Sequence, residues 1–388
     1  MLKTLQLTNF TVFSDAKLSF CPGLNIVLGQ NGSGKTMLLK AAYLMSRAWP
    51  DLMYKRVPLS KKRAEAYFEE RMLGLFQPTF LGNLISQGSS GKARLSADMD
   101  AFIPSLKIMP EPDRQVALNQ FPFVSEIKPL RWEVELDWQQ EVSACTTADL
   151  NASHFPDPAT VNAYVPKSLF IPSKEIVSFY EGLIALLDRY EIKLDDTYRD
   201  LARSMSSPPL LTIPVLQIEK LANLEGELGG ELVLGAGNKL SFKLSEGGYE
   251  TDVSLMAEGF RKLTTLMYLI RRGAITQLGE TLIWDEPEAN LNPVYIRWVA
   301  IALHSLAQAG IQVIIATHSL FLARELEILV ANSAAKKEIV AVRFFGLHKA
   351  SKAAVVEVMQ GDSIDDIGKV DALNESLQQS DRYLAMES

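Results

Sequence analysis

Cysteine is scarce in this chain: two in 388 residues, Cys21 and Cys145, far apart and without partner spacing. That excludes a disulfide scaffold and a cysteine-based zinc site as organising devices, and makes a reducing cytoplasm the expected setting. Long apolar runs are missing as well. The longest weakly charged stretch, residues 298–323, is interrupted by His304, Gln308, Gly310, Gln312 and His318. It reads as helix, glycine break and buried strand, so no membrane span is expected. The first ten residues alternate like a strand and lack the apolar centre of a signal peptide. Positive charge is not in excess: 39 Lys and Arg stand against 46 Asp and Glu, a net −7. The surface is therefore no general trap for polyanions. Internal repeats and sustained heptads are absent too, which removes solenoids and coiled coils. An apolar fraction of 47% and 22% charged residues describe a globular chain of one large domain or two to three smaller ones.

What is present is concentrated in three short passages. Gly29, Gln30, Asn31, Gly32, Ser33, Gly34, Lys35 and Thr36 form a complete phosphate-binding loop. The apolar run 23–28 before it predicts a buried strand, and residues 37–45 after it predict a helix. Only at such a strand-to-helix turn does the pattern have mechanical meaning. The glycines let backbone N–H groups converge on phosphate oxygens, and the helix N-terminus adds its positive dipole end. Lys35 is expected to reach the β- and γ-phosphates of a nucleoside triphosphate, and Thr36 to place its hydroxyl on Mg²⁺.

The second passage, residues 281–288, is an apolar strand ending in Asp285 and Glu286. A strand-end Asp helps to hold Mg²⁺ in phosphoryl-transfer sites, which suits Asp285. Glu286 can then face the γ-phosphate side and polarise the attacking water. The third, residues 314–319, repeats the design and ends in His318, which can hydrogen-bond the γ-phosphate or the water. The alternatives are an acidic surface loop and a surface His. The order of the three passages along the chain favours one site.

Between the passages the texture changes. Residues 55–63 form a basic loop leading into helical spacing over 64–75. Residues 86–100, rich in Ser, Gly and Ala, read as a mobile loop. Strands are expected at 131–138 and 168–171, a hairpin over 231–244, and a C-terminal hairpin of 339–345 against 353–359 before an acidic helical end. Lys174 and Glu175 suit a capped helix start as well as a nucleotide contact. Asp362, Asp365, Asp366 and Asp371 suit capping and a solvated face better than a metal site.

These passages, in this order, resemble the ABC-class ATPases of the SMC, RecF and OLD-like branch. Asn9, Phe10 and Phe13 look like its N-terminal strand motif, residues 29–36 match its phosphate loop, and residues 285–293 are similar to its Walker B segment and D-loop. The resemblance covers residues 1–48 and 250–325 well and the middle poorly. It implies an α/β P-loop fold of ABC type, with a mostly parallel core sheet and an antiparallel β subdomain. The core would comprise 1–48 and 250–388, and 49–249 would be a large insertion of mixed α/β character. It also implies ATP as the nucleotide. In relatives a signature helix contacts the γ-phosphate held by the other protomer. Here Gly259 fits the second glycine of that motif, while Ala257 and Glu258 depart from the usual Ser-Gly, and an ordinary helix start is the alternative. A homodimer or higher homo-oligomer is implied, with the departures pointing to a divergent one.

The resemblance further suggests a cytoplasmic ATPase that controls a separate effector, a nuclease or toxin, as in the anti-phage systems PARIS and Septu. The stretch after His318 is too short for a complete nuclease domain. A RecF-like factor clamping DNA is the alternative, resting on the basic loop 55–63 and on Arg271 and Arg272. A transporter subunit is disfavoured by Glu288, Ala289 and Asn290 after the Asp-Glu-Pro turn.

Overall fold

The structure, a computed structural model, describes residues 1–54, 60–87, 89, 91–99, 130–146, 167–189, 193–207, 226–235, 239–275, 279–349, 355–368 and 371–387. The chain begins with β1 (Leu2–Phe10), β2 (Phe13–Ser19) and β3 (Leu24–Gly29), then α1 (Lys35–Tyr54), α2 (Lys61–Phe76) and β4 (Ala93–Met99). There follow β5 (Leu130–Leu136), β6 (Val142–Thr146), β7 (Ser168–Ile171), α3 (Tyr180–Arg189) and α4 (Asp196–Ser206). Next come β8 (Gly230–Leu234), β9 (Leu240–Leu244), β10 (Glu250–Asp252) and α5 (Glu258–Arg271). The last part runs β11 (Thr281–Asp285), α6 (Pro293–Gln308), β12 (Gln312–Thr317), α7 (Leu320–Ala335), β13 (Val342–Lys349), β14 (Val356–Gly361) and α8 (Asp371–Glu387).

A six-stranded sheet in the order β14-β13-β3-β12-β11-β7 forms the centre. Its strands run parallel from β13 to β7, with β14 antiparallel on β13. Because side chains alternate across a strand, each parallel strand divides its residues between two cores. Leu24, Ile26, Leu282, Trp284, Val313 and Ile315 pack with α5, α6 and α7 on one face. Val27, Ile283, Ile314 and Ala316 face α1 on the other. Continuous apolar runs are what a sheet covered on both faces requires. Beyond α1 lies a five-stranded antiparallel sheet, β2-β1-β4-β5-β6. Helix α1 is thus covered on two sides. Each fully buried large aliphatic or aromatic side chain contributes about 1.5–3 kcal/mol.

That burial explains two departures from the sequence-based expectations. Helix α1 continues past Pro50, because Ala48, Trp49 and Leu52 bury their side chains in the same core. The expected mobile loop over 86–100 contains β4 instead, where Ala93, Leu95, Ala97 and Met99 point inward and the strand pairs with both β1 and β5. Residues 49–249, read as an insertion, supply β4–β6 to the antiparallel sheet and β7 to the edge of the central one. The expected hairpins form as β8–β9 and β13–β14. Within the basic loop, residues 55–59 lie outside the described residues; Lys61 and Arg63 belong to α2, capped by Ser60.

Two helices of this middle region, α2 and α4, are tied to α1 by charge. Arg71 on α2 donates to Asp196 at 2.8 Å and to Asp200 at 2.6 Å. Asp200 is 5% exposed and also accepts from Tyr43 of α1 at 2.9 Å. Lys40 of α1 pairs with Asp195, the N-cap of α4. Removing one partner from such a network strands the others in low dielectric. Asp200→Ala is therefore expected to cost about 3 kcal/mol, visible as a lowered denaturation midpoint with an unchanged slope. A midpoint equal to wild type would mean that Arg71 and Tyr43 find other partners.

Candidate nucleotide and metal site

The phosphate loop leaves the C-terminal end of β3 and opens α1. Gly32 and Gly34 have φ of +73° and +88°, a backbone region that side chains rarely occupy. At Gly34 a Cβ would also stand 2.5 Å from Val12 Cγ2, so glycine is required there for packing as well. Lys35 lies over the loop and donates to the carbonyls of Gly29 at 2.8 Å and Gln30 at 3.0 Å. Burial pushes its ammonium below the usual lysine range, and the neighbouring carboxylates of Glu286, Asp285 and Glu288 oppose that shift. Ser33 Oγ is buried with no partner among the described residues. At the far side of the loop, Lys349 at the end of β13 donates to the Asn31 carbonyl at 3.3 Å.

Strand register brings the second passage to the first. Asp285 sits beside Ala316, and Ala316 beside Val27, so three strand ends lie in one row. Parity puts Asp285 on the same face as Ile283, the face that carries α1. There Asp285 Oδ2 accepts from the Thr36 hydroxyl at 2.8 Å. Its other oxygen is buried without a partner among the described residues. Burial pushes the Asp285 carboxyl up to about 6, with the Thr36 hydroxyl pulling the other way. An orphaned carboxylate oxygen beside a hydroxyl suits a hard divalent cation. Among the described residues no group of three or more His, Cys, Asp or Glu could hold a metal alone. Thr36 and Asp285 would therefore hold Mg²⁺ together with phosphate oxygens and water.

The third passage adds a cluster around His318. Glu286 follows the strand end with φ +47°, its N–H bonded to the Ala316 carbonyl at 2.9 Å. Its carboxylate lies 3.4 Å from His318 Nδ1. Glu288 Oε1 stands 3.5 Å from the same nitrogen. Glu288 is only 5% exposed and accepts from Thr317 Oγ1 at 2.6 Å and from the His318 N–H at 3.2 Å. Thr317 Oγ1 in turn accepts from the Ser319 N–H at 2.9 Å, at the start of α7. His318 is thus placed by its own backbone, while its half-exposed ring faces two carboxylates.

The loop residues, Asp285, Glu286 and His318 therefore come together at one edge of the sheet. Gly259 has a packing reason within its own chain: a Cβ there would stand 2.4 Å from Leu291 Cδ2 and 3.0 Å from the Asn290 carbonyl. Glu175 pairs with Arg261 at 3.1 Å and caps the turn at Ser178. Asp366 completes a capping box with Ser363, and Asp362 pairs with Arg343 at 3.1 Å. Sequence reasoning missed the buried Lys262, whose ammonium donates to the Glu286 carbonyl at 3.3 Å. A helix interior offers no motif for such a residue. The buried Glu288 had a signal, a second glutamate two positions after Glu286.

Comparison with known proteins settles the family. Residues 24–324 match the family described as "AAA domain, putative AbiEii toxin, Type IV TA system". The chain belongs to that family. Residues 4–42 also match a second AAA domain family. The chain is similar to the DNA replication and repair protein RecF of Idiomarina loihiensis, 52% identical over 44 residues. That match covers 11% of this chain and 12% of the relative, so most of either protein lies outside it. The DNA double-strand break repair Rad50 ATPase of Archaeoglobus fulgidus is 46% identical over 41 residues, 11% of this chain and 5% of the relative. Among solved structures, the SMC head domain from Thermotoga maritima is 15% identical, with a TM-score of 0.43 over 92% of this chain and 97% of that one. The SmcHead bound to the C-winged helix domain of ScpA is 14% identical, with a TM-score of 0.49 over 94% and 98%. The chain is a P-loop ATPase of the AAA-domain class. No described helix is long and apolar enough to cross a membrane.

Proposed function

We propose that this ATPase is a switch: Mg·ATP bound at the β3, β11 and β12 strand ends drives self-association, and hydrolysis reverses it. In this reading Lys35 and the loop N–H groups hold the phosphates, and Thr36 and Asp285 hold Mg²⁺. Glu286 orients and deprotonates water, and His318 contacts the γ-phosphate or that water. The observation that carries the reading is the Glu286–His318–Glu288 cluster beside the Thr36–Asp285 pair, a hydrolytic arrangement adjoining a cation site. Gly259 and the start of α5 complete the partner's site.

The controlled effector is a separate nuclease or toxin in anti-phage defence, as in PARIS and Septu. The toxin and TA wording of the family description supports this. The second reading, a DNA-maintenance ATPase, has the RecF similarity in its favour. Against it, three arginines of the basic clusters are engaged within the chain. Arg63 donates to the Leu52 carbonyl, Arg271 pairs with Glu231, and Arg272 bonds the Ser207 carbonyl at 3.0 Å and lies 4.9 Å over the Tyr268 ring. DNA binding that weakens steeply with salt would favour that second reading.

A switch that works by assembly must show concentration-dependent turnover. Specific ATPase activity is expected to rise with protein concentration, and light scattering is expected to show ATP raising the mass of the Glu286→Gln variant. Flat specific activity in a protein that stays monomeric with ATP would replace the self-assembling switch by a single-protomer one.

A further inference from the structure

Glu286 has a backbone problem that its role in the site makes consequential. Its φ of +47° lies in the left-handed region, which a residue with a Cβ enters only when its surroundings insist. Its N–H is held by the Ala316 carbonyl at 2.9 Å. Its carbonyl receives Lys262 Nζ at 3.3 Å. Lys262 is 4% exposed; burial pulls its ammonium below the usual lysine range, and the carboxylates of Glu288, Glu258, Glu286 and Glu175 oppose that shift.

The first turn of α5 is seated on the loop between β11 and α6 through three contacts. Glu258 Oε1 accepts from Asn290 Nδ2 at 2.8 Å. Gly259 allows the helix to close onto Leu291 and the Asn290 carbonyl. Lys262, one helical turn beyond Glu258 and therefore on the same face, reaches the Glu286 carbonyl. A side chain at position 259 would push the helix away and withdraw Lys262 with it.

We infer that Lys262 is a positioning residue for hydrolysis: from within its own protomer it fixes the left-handed backbone of Glu286 and so aims that carboxylate beside His318. The ammonium supplies both a donor to the carbonyl and a positive charge among Glu286, Glu288 and Glu258. A neutral donor in its place leaves those carboxylates to repel one another. This rests on Glu286 being the residue that activates water.

The test compares Lys262→Gln, which keeps a neutral donor on a stem one bond shorter, with Lys262→Met, which keeps an apolar stem alone. In Lys262→Gln, kcat is expected to fall about tenfold, on the order of one step of general-base catalysis lost to misplacement. KM and the Kd for ATP should stay within about twofold, since nothing that touches the phosphates has changed. Lys262→Met should fall at least as far. Hydrogen exchange should quicken in the peptide spanning 285–291 and stay unchanged in β3 and β12. If the methionine variant does not fold, the glutamine variant still decides. Wild-type kcat in Lys262→Gln would overturn the inference, as would an ATP affinity that falls in step with kcat. Glu286→Gln run alongside separates the two levels. If it retains turnover, the reading of Glu286 fails. If it is inactive while Lys262→Gln is fully active, only the role of Lys262 fails.

Discussion

Glu286→Gln is expected to bind Mg·ATP as wild type does and to hydrolyse it at least ~100-fold more slowly, the scale of losing a general base. The substitution is nearly isosteric, and the amide still suits the left-handed backbone as well as the carboxylate did. What disappears is the group that can accept a proton from water on the open side of the Thr36–Asp285 pair. Lys35, Thr36 and Asp285 are untouched, so affinity should stay. His318 Nδ1 lies 3.4 Å from the Glu286 carboxylate and 3.5 Å from that of Glu288. Glu288 is less accessible to water: one of its oxygens already accepts from Thr317 and from the His318 N–H, and the other is buried. Single-turnover hydrolysis and equilibrium binding, measured on the same preparation, check both halves. Turnover within a few-fold of wild type would move the role of base to Glu288 despite that burial.

How much of this site could be read in the sequence depends on how far each feature reaches along the chain. The phosphate loop was legible because its requirements are local: Gly32 and Gly34 answer to their own φ values, and Lys35 folds back onto Gly29 and Gln30. The Asp285 and His318 strand ends were legible as types, since apolar runs ending in polar residues mark buried parallel strands. That Thr36 and Asp285 share one site was legible from the motifs, whereas the means by which they meet, the order β3-β12-β11 and side-chain parity, only the assembled sheet reveals. Strand β4 was hidden because its start adjoins a Ser- and Gly-rich stretch and its inward residues include two alanines. Pairing on both edges, rather than intrinsic propensity, makes it a strand. Lys262 was hidden for a different reason. A lysine in an amphipathic helix looks solvated until the close approach at Gly259 shows what covers it.

Lys35→Ala is expected to raise the Kd for ATP by ~100-fold or more, equivalent to about 2.7 kcal/mol or more. The lysine is 6% exposed, and its ammonium is held in the loop by two neutral carbonyls. Incoming phosphates would offer it charge-assisted bonds, roughly twice as strong as neutral ones. The same burial that pushes its pKa down means that part of its desolvation is already complete before it engages them. In the alanine variant the β- and γ-phosphates would approach Asp285, Glu286 and Glu288 with one buried cation fewer to offset repulsion. Stability of the nucleotide-free protein should change little, because the lost bonds are to loop carbonyls that can turn toward solvent. The two effects separate in thermal melting: a Tm close to wild type without nucleotide, and no rise in Tm when ATP is added, where wild type rises by mass action. If calorimetry found wild-type ATP affinity in Lys35→Ala, the loop would not be the phosphate site, and the roles given to Thr36 and Asp285 would fall with it.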